Sequence, residues 1–136
     1  MTFLLLLLAL VLGLWSVGSV TSRVPPARRA ADAVVAAARA NGLAHNRPGL
    51  AGAVIYGDSG CANCHTYGGV GSANLGAPDL TAEGKKHRGV PFQVAHLKCP
   101  ACVTRGSAMP SFAALGARKL RLVAVFLEAS KGTGSS

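Results

Sequence analysis

The residues of this chain best suited to chemistry are its cysteines and histidines, and their spacing narrows what that chemistry is. In Cys61-Ala-Asn-Cys64-His65 two thiols stand three positions apart and an imidazole follows the second. That spacing lets both thiols reach the vinyl groups on one edge of a porphyrin while the histidine turns under the iron, as in a covalently attached haem. A thioredoxin-like redox pair would instead sit in a βαβ unit, and no alternating pattern of strand length marks one. A zinc site would need two more ligands, which Cys99 and Cys102 are able to supply.

A haem held by one histidine has a sixth position to fill. Met1 and Met109 are the only methionines. Met1 heads an apolar leader, so the thioether open to the folded domain is Met109, in the run Gly106-Ser-Ala-Met109-Pro110-Ser-Phe112, a loop stiffened by Pro110. His45, His87 and His96 are the competing ligands. The second pair, Cys99-Pro-Ala-Cys102, has no histidine after it, so one covalently bound haem c is expected and not two. In an exported domain this pair reads first as a structural disulfide. Pro100 as a helix start would alternatively favour a thiolate at Cys99 and a reactive pair.

A chain of 136 residues, enough for one compact domain, has to position these groups. Residues 2–22 carry no charge, and 3–20 are apolar apart from Gly13, Ser16, Gly18 and Ser19. At about 1.5 Å per residue such a helix spans a bilayer. Residues 1–22 therefore read as a membrane anchor or uncleaved signal, with a cleaved signal peptide as the rival. No basic residue precedes the run, yet Ser16 to Ser22 has the small, polar character of a cleavage region. The positive-inside rule would keep Arg23, Arg28 and Arg29 in the cytoplasm, whereas export of the domain puts them outside.

An Ala-rich helical linker, 23–47, comes next, then the folded domain, 48–132, and a flexible tail, 133–136. Within the domain Pro48 starts a helix carrying Leu50, Gly52, Val54 and Tyr56 as far as Gly57 and Gly60. Gly68, Gly69, Gly71 and Gly76 mark 67–77 as a loop, and Phe92 to Leu97 is a short helix. Leu120, Leu122, Val123, Phe126 and Leu127 form the apolar face of a C-terminal amphipathic helix that Gly132 stops. The expected fold class is all-α. Half the residues are hydrophobic, but one Trp, two Tyr and four Phe make a thin core unless a cofactor fills it.

That order of elements, together with Leu75-Gly-Ala-Pro78-Asp-Leu80 and Met109-Pro-Ser-Phe112, resembles class I cytochrome c, especially the small membrane-attached bacterial cytochromes, over 48–132. The resemblance implies that fold around one haem, with thioethers at Cys61 and Cys64 and iron ligands at His65 and Met109. It implies that the Pro78 carbonyl accepts from the other ring nitrogen of His65. It also has Gly52 and Tyr56 meeting Phe126 or Leu127 where the first and last helices of the domain cross. Ala77 separates Gly76 from Pro78, where the family commonly reads Gly-Pro.

The function expected is one-electron transfer on the periplasmic face of the cytoplasmic membrane, by a lone carrier or a respiratory subunit. The donor would be a quinol:cytochrome c oxidoreductase and the acceptor a terminal oxidase. Fourteen Lys and Arg against five Asp and Glu give a net charge of +9, and Lys85, Lys86, Arg88, Lys98 and Arg105 would dock on an acidic partner. Membrane lipid is the other contact, through the N-terminal helix; nucleic acid is excluded by the lack of a recognition helix or aromatic platform. No Ser-His-Asp set, paired carboxylates or phosphate-cradling loop accompanies the haem motif, so no enzyme is expected. The alternative is a haem-based sensor or peroxidase-like enzyme in which Met109 is displaced. A thiol–disulfide protein acting through Cys99 and Cys102 is a third class.

Overall fold

The computed structural model describes residues 26–132. The leader, on which the anchor and signal readings depend, lies outside the described residues, as does the tail. Among the described residues no helix is long and apolar enough to cross a membrane.

The helices are α1 (Pro26–Ala38), α2 (Arg47–Asp58), α3 (Val90–Lys98), α4 (Pro100–Val103) and α5 (Gly116–Ala129); a π turn (Arg39–Leu43) follows α1, Cys99 alone separates α3 from α4, and short 3₁₀ turns lie in the other connections. The loop expected after His65 contains a two-residue antiparallel hairpin, β1 (Thr66–Tyr67) and β2 (Val70–Gly71), pairing Thr66 with Gly71 and Tyr67 with Val70. Gly68 and Gly69 close it with φ of 54° and 79°, values that side chains resist.

Helix α2 starts where the side-chain oxygen of Asn46 accepts the Gly49 N–H at 2.9 Å, with Pro48 in the first turn. Its buried face is made of Gly49, Gly52, Ala53, Tyr56 and Gly57, while Val54 faces solvent. That small face lets α5 approach closely. A Cβ on Gly52 would overlap the Leu122 carbonyl oxygen and the Phe126 side chain, so the crossing requires glycine there. One turn on, the Tyr56 ring meets Phe126 edge-on at 5.5 Å between centroids, and Tyr67 packs on Phe126 at 4.6 Å. These three buried rings and the inner face of α5 form the core.

The segment read from the sequence as a linker does more than connect. Ala31, Val34, Ala38 and Leu43 are buried in the core. Gly57 of α2 sits against the backbone of Ala31, where a Cβ would overlap it. After Ala38 the chain kinks, with Gly42 at φ 86°, and turns Asn41 inward. The Asn41 amide donates to Tyr67 Oη and to the Thr81 carbonyl, both at 2.8 Å. Ser130 Oγ donates to the Phe126 carbonyl, so Tyr67 O–H donates to Ser130 Oγ at 2.9 Å. The folded unit thus includes α1 and does not begin at Pro48. An Ala-rich stripe holds little apolar area, which makes it look weak as a sequence pattern. Small side chains facing glycine nevertheless allow dense backbone contact.

Candidate functional site

A cavity of about 400 Å³ opens between the end of α2, the run 74–80, α3 and the loop before α5. That size falls within the roughly 300–1,000 Å³ of small-molecule sites. Cys61, Cys64, His65, Pro78 and Met109 all line it.

Local backbone geometry gathers the first three. Gly60, at φ 78°, ends α2 and admits a single 3₁₀ turn over Cys61–Asn63. The Cys61 carbonyl accepts both the Cys64 and His65 N–H groups, at 3.2 and 3.0 Å, which winds the whole motif around one oxygen. Pro78 is brought in by a latch. Thr66 Oγ1 donates to Asp79 Oδ2 at 2.5 Å, the Thr81 N–H donates to Asp79 Oδ1 at 2.9 Å, and the Leu80 N–H donates to the Thr66 carbonyl at 2.9 Å. Burial works against the Asp79 charge, but the hydrogen bonds from Thr66 and Thr81 outweigh it and hold the carboxyl below its ordinary range. The latch fixes the Pro78 carbonyl oxygen 2.9 Å from His65 Nδ1. With Nδ1–H donating there, the lone pair is left on Nε2, the form that binds a metal.

Cys61 is buried, and burial first, then the nearby Cys64, pushes its thiol up to about 11, so it is neutral at ordinary pH. Cys61 and Cys64 are free thiols, whereas Cys99 and Cys102 form a disulfide. A four-cysteine zinc site is therefore not assembled. Among the described residues no three His, Cys, Asp or Glu side chains gather around a common point.

Of the competing histidines, His45 and His87 are exposed and do not line the cavity; His96 does. Its ring stacks on Phe92 at 6.0 Å, and Arg88 lies 4.9 Å over the Phe92 ring. Burial and Arg88 lower the His96 pKa and keep the ring neutral. His96 Nδ1 and Tyr56 Oη are buried without a hydrogen-bond partner, and both side chains line the cavity. Burial likewise raises the Tyr56 hydroxyl pKa. Such orphaned polar atoms beside a cavity are what a site shaped for a bound group leaves behind.

Sequence reasoning missed the carboxylate that steadies one rim. Glu83 is buried and pairs with Lys86 at 2.7 Å and Arg88 at 4.0 Å, and Gln93 joins it to Glu128. Its one signal is the three-residue step to Lys86, a helical pairing distance. Lys86 and Arg88 line the cavity, so part of the positive charge of the rim is offset. Two thiols, an imidazole and a thioether, walled by Leu80, Leu97, Phe112, Val123 and Leu127, fit a covalently held haem. Compared with known proteins, the chain matches no protein-family model, no curated protein and no solved structure.

Proposed function

We propose that the chain is a monohaem c-type cytochrome of the class I kind, a one-electron carrier tethered by its N-terminal segment with the folded domain on the periplasmic side of the membrane. One observation carries this reading: His65, next to Cys64 and hydrogen-bonded to the Pro78 carbonyl, shares a cavity with Met109. Cys61 and Cys64 would hold the porphyrin through thioethers, and His65 and Met109 would hold the iron. A haem so held supplies an iron that alternates between ferrous and ferric states with no substrate bound.

The residues of the chain set the conditions for that exchange. The Pro78 carbonyl fixes the His65 tautomer and ring orientation. Met109 would hold the iron together with His65, which would leave no place for substrate and suits a carrier and not an enzyme. The apolar wall would exclude water from the bound group and, with the thioether, would favour its reduced form. Lys86 and Arg88 at the cavity, with exposed Lys85, Lys98 and Arg105, present cations to an acidic redox partner such as a quinol-oxidising complex or a terminal oxidase.

The test is chemical. Produced in an exporting host that attaches haem, then denatured and extracted with acidified acetone, the polypeptide should keep one equivalent of pigment. The ferrous native protein should not bind carbon monoxide, and the Met109→Ala variant should bind it. A colourless polypeptide ends the proposal. Carbon monoxide binding by the untreated wild type would instead select the sensor or peroxidase-like reading, which draws on the exposed loop that carries Met109.

A further inference from the structure

The run from Lys98 to Ser111 carries Met109, yet Pro100 is its one buried residue. At its base the Phe112 N–H donates to the Leu97 carbonyl at 2.9 Å and Ser111 Oγ donates to the Lys98 carbonyl at 2.7 Å. Within it the Cys102 and Thr104 N–H groups donate to the Cys99 and Pro100 carbonyls at 3.0 and 2.7 Å. The Met109 N–H reaches Ser107 Oγ at 3.3 Å, inside the same run. The covalent element is the Cys99–Cys102 disulfide, which cinches the chain around Pro100, its one anchor in the interior. Cys102 is exposed, whereas Cys99 is half-buried, so Cys102 is the sulfur an outside thiol meets first.

We propose that Cys99–Cys102 is a thiol–disulfide exchange site for an exported dithiol, and that its reduction frees the 98–111 run and with it Met109. A thiolate of the dithiol attacks Sγ of the exposed Cys102, the Cys99–Cys102 bond breaks, and Cys99 leaves as a thiolate that takes up a proton. The second thiol of the dithiol then attacks the mixed disulfide and releases Cys102. Two electrons and two protons have passed to the pair, and the partner departs as a disulfide. Exposed disulfides are the exchangeable ones, in contrast to structural bridges that resist the thiol pool. Once opened, the run keeps its base bonds, the backbone bonds of a four-residue helix and the local bonds at Ser107 and Met109, none of which ties Met109 to the interior. The exchange stands on the cysteines alone; its effect on Met109 rests on the haem reading above.

Native holoprotein treated with dithiothreitol, then with iodoacetamide, should gain two carbamidomethyl groups by mass, at Cys99 and Cys102. Under the same reductant the ferrous protein should bind carbon monoxide, whereas protein reduced with ascorbate, which spares disulfides, should not. Reoxidising the pair should abolish that binding, and the double variant Cys99→Ser, Cys102→Ser should bind carbon monoxide when reduced with ascorbate alone. No alkylation short of denaturation overturns the exchange site. Alkylation without carbon monoxide binding in both the dithiothreitol-reduced wild type and the ascorbate-reduced double variant overturns the coupling to Met109. Pigment lost on denaturing extraction defeats the haem reading instead, and the alkylation result still decides the exchange site.

Discussion

His65 owes its binding tautomer to a backbone atom thirteen positions away, the Pro78 carbonyl, and that atom is held by a side chain, Asp79. The arrangement makes the site sensitive to acid in a defined direction. A carboxyl whose folded pKa lies below the ordinary value of about 3.9 stabilises the fold above that value and loses the contribution as pH falls through the lower, folded one. The melting temperature of the wild type should therefore exceed that of Asp79→Ala by most near pH 6, and the gap should narrow below about pH 4. A gap unchanged between pH 6 and pH 2 would remove the Asp79 charge from the latch. At this scale the sequence was informative where chemistry and spacing coincide, at Cys61, Cys64 and His65, since a 3₁₀ turn around one carbonyl needs nothing remote. Tyr56 and Glu83 became legible as cavity residues, and His96 was told apart from His45 and His87, only when α2, α3 and the turn at Glu83 were placed around a common space.

Among the elements, the two close crossings are set by glycines. At Gly52 a side chain would collide with the Leu122 backbone of α5, and at Gly57 with the Ala31 backbone of α1. Neither neighbour is the far end of a flexible side chain, so the helices must separate. Gly52→Ala and Gly57→Ala should each cost about 1–3 kcal/mol of stability, read as a lowered midpoint in denaturant at unchanged slope. Loss of stability in Gly57→Ala comparable to that in Gly52→Ala would mark α1 as part of the cooperative unit, and a neutral Gly57→Ala would mark it as a detachable spacer. The C-terminal helix was readable in advance because its large side chains repeat on one face. Helix α1 read as a linker because its stripe of Ala31, Val34 and Ala38 announces itself only through what packs against it.

Over the whole molecule, the charge of +9 exceeds what the cavity rim alone presents, because Glu83 engages Lys86 and Arg88 while Lys85, Lys98 and Arg105 stay exposed. Electron transfer to an acidic partner should slow steeply as ionic strength rises from about 10 mM to 150 mM, over which the screening length shrinks from about 30 Å to 8 Å. Lys85→Glu with Lys98→Glu should flatten that dependence and slow the low-salt rate by about tenfold or more. A rate insensitive to salt would mean that these cations do not steer. What the sequence determined by itself was local: the Cys61-Ala-Asn-Cys64-His65 spacing, Met109 as the one methionine beyond Met1, and the helices with strong periodicity, each fixed by neighbours along the chain. Tertiary structure alone decided that Met109, Pro78 and the cysteine motif share one cavity and that Asn41 joins α1 to the core. Those are contacts between distant residues, and a chain reveals such distances only after helix packing has chosen among the many ways small side chains and glycines could meet.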